Sequence, residues 1–179
     1  MTSSDELGLV PGTVEKAAGR VGQSYAGDPG GLNTRVAAVC SKFNGAITTR
    51  LLDGVLEGLE ANGVKPESVS VVWVPGAFEV PLVAARLARS GSVDAVVGLG
   101  AVIRGETAHF DFVAGQCAAG LQRAALDTGV PMILGVLTTD TADQALARSG
   151  AGPANKGYEA AVTALEMADL MAKLPASEE

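Results

Sequence analysis

A three-layer α/β/α sandwich on a four-stranded parallel sheet is what this sequence predicts, on three observations. Short apolar runs alternate four times with helical apolar stripes, the runs are continuous, and turn signals separate the pieces. Continuous apolar runs belong to strands buried on both faces. Strand–helix alternation in turn requires parallel strands joined by right-handed crossovers.

Residues 1–34 read as an N-terminal arm, with glycines and prolines among polar residues and no sustained period. Val14–Arg20 could form a helical turn, and Gln23–Ala26 a short strand added at the sheet edge. From Arg35 the pattern changes, and residues 35–174 form the domain. Val36–Cys40 is the first strand; Ile47, Leu51, Leu52, Val55, Leu56 and Leu59 are the stripe of its helix, ended by Asn62-Gly63. Val69–Val74 is the second strand and Val80–Ala88 its helix. Ala95–Leu99 is the third strand, followed by a long helix, His109–Leu126, closed near Gly129. Met132–Leu137 is the fourth. A short helix, Thr141–Arg148, precedes the final one, Lys156–Leu174, and residues 175–179 are a tail. This order is that of a flavodoxin-like sheet, without internal repeat or second domain.

Hydrophobic residues make up 47 % of the 179 residues and charged ones only 18 %, against about 25 % in ordinary soluble domains. So little charge implies that much of the surface is buried against copies of the same chain. A net charge of −7 without a basic run makes nucleic acid and anionic membranes poor partners. No apolar run is long enough to span a bilayer. Met1–Leu9 is acidic and has no signal-peptide pattern. Cys40 and Cys117 lie apart in apolar stretches and read as reduced core thiols of a cytoplasmic protein. With one histidine, they make no zinc pattern.

In an open parallel sheet, ligands bind at the carboxyl ends of the strands. Those ends carry Ser41-Lys42-Phe43-Asn44, Pro75-Gly76-Ala77-Phe78-Glu79, Arg104 to His109 and Thr138-Thr139-Asp140. Gly105 to His109 runs into a helix N-terminus, where free N–H groups and the helix dipole favour an anion; otherwise Gly105 permits a turn and Thr107 caps the helix. There is no P-loop, and Gly98, Gly100 and Gly105 have the wrong spacing for a dinucleotide fingerprint. His109 is the natural proton carrier, because an imidazole changes charge between roughly pH 5 and 8. Phe43 either caps the core or offers a flat face to a ring. Glu79 is either a first-turn helix carboxylate or an acceptor for hydroxyl groups. Arg148 and Lys156 flank a glycine-rich bend, as surface cations or as a pair for a phosphate.

Ser41–Asn44, Val74–Pro81, Gly100–Phe110, Gly135–Thr139 and the bend from Arg148 to Gly157 resemble, in order and spacing, the signatures of the lumazine synthase family. The resemblance runs from about Arg35 to Leu174. It implies condensation of 5-amino-6-(D-ribitylamino)uracil with 3,4-dihydroxy-2-butanone 4-phosphate, with neither metal nor cofactor. By that resemblance Phe43 stacks on the pyrimidine, Asn44, Ala77, Phe78 and Glu79 hold its ribityl chain and edges, and Val102 and Ile103 read its polar edge. Glu106, Thr107 and Arg148 bind phosphate, with Lys156 near the same anion, and His109 moves protons. It also implies a pocket shared by two neighbours of a pentamer, Leu134, Arg148 and Lys156 coming from the second subunit. Some members close pentamers into an icosahedral shell of sixty subunits, which the short bend here favours.

Leu134 stands where many members carry an aromatic, and the arm before Arg35 is longer than usual. The alternative is a non-catalytic flavin- or lumazine-binding or shell-forming homologue; His109 and Arg148 argue against it, since ring binding requires neither. A thiol hydrolase is disfavoured because neither cysteine lies in a nucleophile elbow.

Overall fold

The apolar runs form the strands of a parallel sheet in the order β2-β1-β3-β4. The computed structural model describes residues 12–175; Met1–Leu9 and most of the C-terminal tail lie outside them. The strands are β1 (Val36–Ser41), β2 (Val69–Val74), β3 (Ala95–Ile103) and β4 (Met132–Thr139). Val36 stands beside both Val69 and Ala95, and Val96 beside Met132, so the strands' carboxyl ends gather on one side. Arg35 and Asp94 lock the opposite ends of β1 and β3 through a forked ion pair at 2.7 and 3.1 Å. The hydrogen bonds from Arg35 hold the Asp94 carboxyl below the usual carboxylate range.

Side chains alternate across the sheet and divide the core into two layers. Val36, Ala38, Cys40, Val97 and Leu99 face α2 (Gly45–Ala61) and α6 (Lys156–Lys173). Ala37, Val39 and Val96 face α3 (Val80–Arg89) and α4 (His109–Thr128). The short α5 (Ala142–Arg148) follows β4, and α1 (Thr13–Ala18) lies in the arm. Leu56, placed by periodicity in the buried stripe of α2, is exposed.

β3 extends four residues beyond the expected Leu99, to Ile103, and β4 two beyond Leu137, to Thr139. Gly100 follows the expected end of the strand, yet it sits inside β3 with Gly98, where neighbours leave little room for a side chain. A Cβ at Gly98 would lie 2.9 Å from Val80 and 3.0 Å from Leu121, and one at Gly100 3.0 Å from Ser41.

Gln23–Ala26, expected as a short edge strand, is irregular. The chain beyond it docks on α6, whose side chains engage its backbone in place of a strand ladder. Lys173 donates to the Ala26 carbonyl at 3.0 Å, the Asp28 N–H donates to Asp169 at 2.7 Å, and a Cβ at Gly27 would strike the Glu166 backbone.

Both cysteines are free and buried, and burial pushes the Cys40 thiol up to about 12 and the Cys117 thiol up to about 11. Neither should react with a disulfide reagent at neutral pH until the protein unfolds. Since both values are raised above an unfolded 9.0, their contribution to stability is complete below about pH 9. It is lost as pH climbs toward 11 and 12. Denaturant midpoints should therefore fall across pH 9 to 11, and a Cys40→Ala, Cys117→Ala double variant should flatten that fall; an unchanged slope would contradict it.

Candidate active site

The chain passes from β1 outward to β2, then returns to β3 on the other side of β1. At such a reversal the helices diverge and leave a crevice above the carboxyl ends. The crevice is present, with a volume of about 670 Å³, lined by the ends of β1, β2 and β3 and the first turns of α4.

Its walls are aromatic. All four phenylalanines of the chain line it: Phe43, Phe78, Phe110 and Phe112. Phe43 is 71 % exposed, Phe112 66 % and Phe78 56 %. Three open aromatic faces around one cavity are poor use of apolar surface unless a flat ligand covers them. Phe43 is aimed by its backbone: the N–H groups of Lys42 and Phe43 donate to the carbonyls of Val74 and Pro75 at 2.8 and 3.1 Å. Gly100 and Ala101 keep the floor low, because any Cβ at Gly100 would crowd Ser41.

His109 opens α4 at the rim of the crevice. Before it, the N–H groups of Gly105, Glu106, Thr107 and Ala108 have no acceptor among the described residues. The Thr107 hydroxyl lies 3.4 Å from the His109 N–H, and α4 has no side-chain cap. Consecutive unpaired donors ahead of a helix of 20 residues make a cradle for an anion. The loop is braced by Arg104, whose guanidinium lies 4.0 Å over the Phe110 ring and bonds to Asp140 at 2.9 Å and Asp111 at 3.2 Å. With both carboxylates engaging it, that cation is occupied.

The crevice gathers Phe43, Ala77, Phe78, Glu79, Val102, Ile103, Thr107 and His109 from the residues singled out in the sequence. Among the described residues, Glu79 and His109 are the only titratable side chains lining it. Asn44 does not line it; its amide donates to the Ala101 carbonyl at 2.7 Å. Glu106 stays at the exposed flank. Leu134, Arg148 and Lys156 line a second cleft of about 440 Å³ between β4, the end of α5 and α6. There Arg148 donates to the Gln144 carbonyl at 3.0 Å and has no carboxylate partner among the described residues. Lys156 is paired with Glu159 at 2.6 Å.

Phe110, Phe112 and Val113 escape a reading of strand ends alone. Phe112 and Val113 fall three and four residues after His109, on its helix face, and that spacing was the available signal.

A parallel-sheet protein with an aromatic-walled crevice at its switch point, lined also by a histidine, is the class that fold and crevice define. The family model described as 6,7-dimethyl-8-ribityllumazine synthase matches residues 33–172, and the chain belongs to that family. Membership places it broadly in riboflavin biosynthesis, among proteins that take small-molecule substrates and assemble as oligomers. Among the described residues no helix is long and apolar enough to cross a membrane, and no cluster of three or more His, Cys, Asp or Glu could hold a metal ion.

Proposed function

We propose that this protein condenses 5-amino-6-(D-ribitylamino)uracil with 3,4-dihydroxy-2-butanone 4-phosphate, releasing 6,7-dimethyl-8-ribityllumazine, phosphate and water, without a cofactor. One observation carries the proposal: an aromatic-walled crevice whose rim holds His109 beside unpaired N–H groups. The pyrimidine stacks on Phe43, with Ala77, Phe78 and the Glu79 carboxylate along its ribityl chain. Backbone groups of Val102 and Ile103 meet its polar edge. The amides at Glu106 and Thr107 receive the sugar phosphate. His109 moves protons as the amine adds to the ketone, phosphate leaves and the ring closes.

Among the described residues no lysine or arginine lines the crevice, although one substrate is a phosphate. The missing cation is Arg148 of a neighbouring chain, which with Leu134 and Lys156 closes the crevice across a pentamer interface. Leu134 at 51 % exposure, together with the exposed Trp73, Leu82 and Leu126, supports burial of apolar surface between copies. The short Arg148–Lys156 bend favours pentamers joined into an icosahedral shell.

The experiment is lumazine formation from both substrates, followed by absorbance against a protein-free blank. Saturable acceleration supports the enzyme; tight flavin or lumazine binding without turnover would make the protein a carrier. Arg148→Ala should weaken the sugar phosphate by roughly 1.5–3 kcal/mol, the loss of one charged hydrogen bond, with pyrimidine saturation unchanged. Mixed oligomers of Arg148→Ala and His109→Ala chains should be more active at low sugar phosphate than either variant alone. If they do not, the site lies within one chain.

A further inference from the structure

Among the described residues, Asn44 is the only one other than glycine with a positive φ, 56° with ψ 36°. That region crowds an L side chain, and such residues persist only where their surroundings hold them. Asn44 is also the N-cap of α2, where an asparagine side chain normally accepts a helix N–H. Here it makes no capping bond. The cap position thus forgoes both its preferred backbone and its preferred hydrogen bond. What it gains is a bond from its amide to the carbonyl of Ala101 on the neighbouring β3, at 2.7 Å.

This bond has a definite place. Phe43 immediately precedes Asn44, and Ala101 lies on the floor that continues into Val102 and Ile103. The β1 loop is otherwise held from the β2 side, through Val74 and Pro75. Among the described residues only the Asn44 amide ties it to β3, since the Ser41 hydroxyl bonds within the loop itself, donating to the Phe43 carbonyl at 3.2 Å. We infer that Asn44 is a positioning residue that sets the gap between the Phe43 ring and the β3 backbone, and so the slot that admits a flat ring. It acts through Phe43 and does not hold the ribityl chain. The inference rests on the proposed function only for the identity of the ring.

The test uses Asn44→Gly, which accepts the left-handed backbone and loses the donor, and Asn44→Asp, which sets a carboxylate against the Ala101 carbonyl. Both should raise KM for the ribitylaminouracil roughly five- to tenfold, the effect of one lost hydrogen bond. KM for the sugar phosphate and kcat should stay near wild type. The same loss should persist for a uracil whose ribityl chain is replaced by methyl, and should vanish in a Phe43→Ala background. A loss confined to the ribityl substrate, or one additive with Phe43→Ala, would overturn the inference in favour of direct contact. Equal loss for both substrates would reduce Asn44 to a structural role. Crystal structures of Asn44→Gly provide a readout independent of activity: the Phe43 ring should shift or occupy several rotamers. A ring unmoved from its wild-type place would overturn the inference even if the wild-type protein formed no lumazine, an outcome that would separately end the functional proposal.

Discussion

Replacing His109 by alanine is expected to slow lumazine formation roughly 10²-fold without abolishing it, the usual range for losing a general acid–base group. An aromatic amine and a ketone condense without much assistance. The larger share of acceleration comes from holding both substrates in one crevice, an effect that reaches about 7–11 kcal/mol in well-oriented cases. His109→Ala leaves intact the aromatic walls and the N–H groups of Gly105 to Ala108. KM for both substrates should therefore change little while kcat falls. A complete loss with intact assembly would point to different chemistry, and a full rate without the imidazole would remove His109 from the mechanism.

The largest expected effect on stability belongs to Asn155, which carries no charge and lies far from any aromatic wall. Its side chain is 3 % exposed and satisfies three backbone groups. The oxygen accepts from the Gly157 N–H at 2.7 Å, and the amide donates to the carbonyls of Arg50 at 2.9 Å and Gly150 at 2.7 Å. It thereby caps α6, pins α6 to α2 and closes the bend that carries Arg148 and Lys156. Space for it exists because residue 54 is glycine; a Cβ there would lie 2.5 Å from the Asn155 amide carbon. Asn155→Ala removes the cap, at about 1 kcal/mol, and strips the part-buried carbonyls of Arg50 and Gly150 of this donor, together at about 1–3 kcal/mol. A total near 3 kcal/mol corresponds to a Tm lower by about 6–12 °C for a domain of this size. Scans should compare equal protein concentrations, since oligomerisation moves Tm. Asn155→Asp keeps the cap acceptor but sets a carboxylate against two carbonyls, so it should be as destabilising at neutral pH and recover in part when acid protonates it. A loss below about 1 kcal/mol would mean that the bend holds itself.

Where each element would form was legible because local periodicity carries that information. Val69–Val74 matches the expected strand, and α6 begins at the expected Lys156. The four strand ends followed from the parallel order, and the histidine stood at one of them. Errors arose where a distant neighbour overrides local preference. The third strand was expected to stop before Gly100, yet the neighbouring β1 pressing on β3 is what excludes a side chain there.

The amino-acid order alone determined the alternation of strands and helices, the parallel sheet, the edge on which a site must lie and the residue types brought to it. Tertiary structure decided the remainder. It brought Phe110 and Phe112 into the same crevice as Phe43, and it turned the Asn44 amide toward Ala101. Arg104 was committed to Asp111 and Asp140, and Arg148 was left in a separate cleft. The division has a physical reason. Apolar period and turn chemistry act over a few residues, whereas the direction of a side chain at a site depends on register and packing between segments remote in the chain.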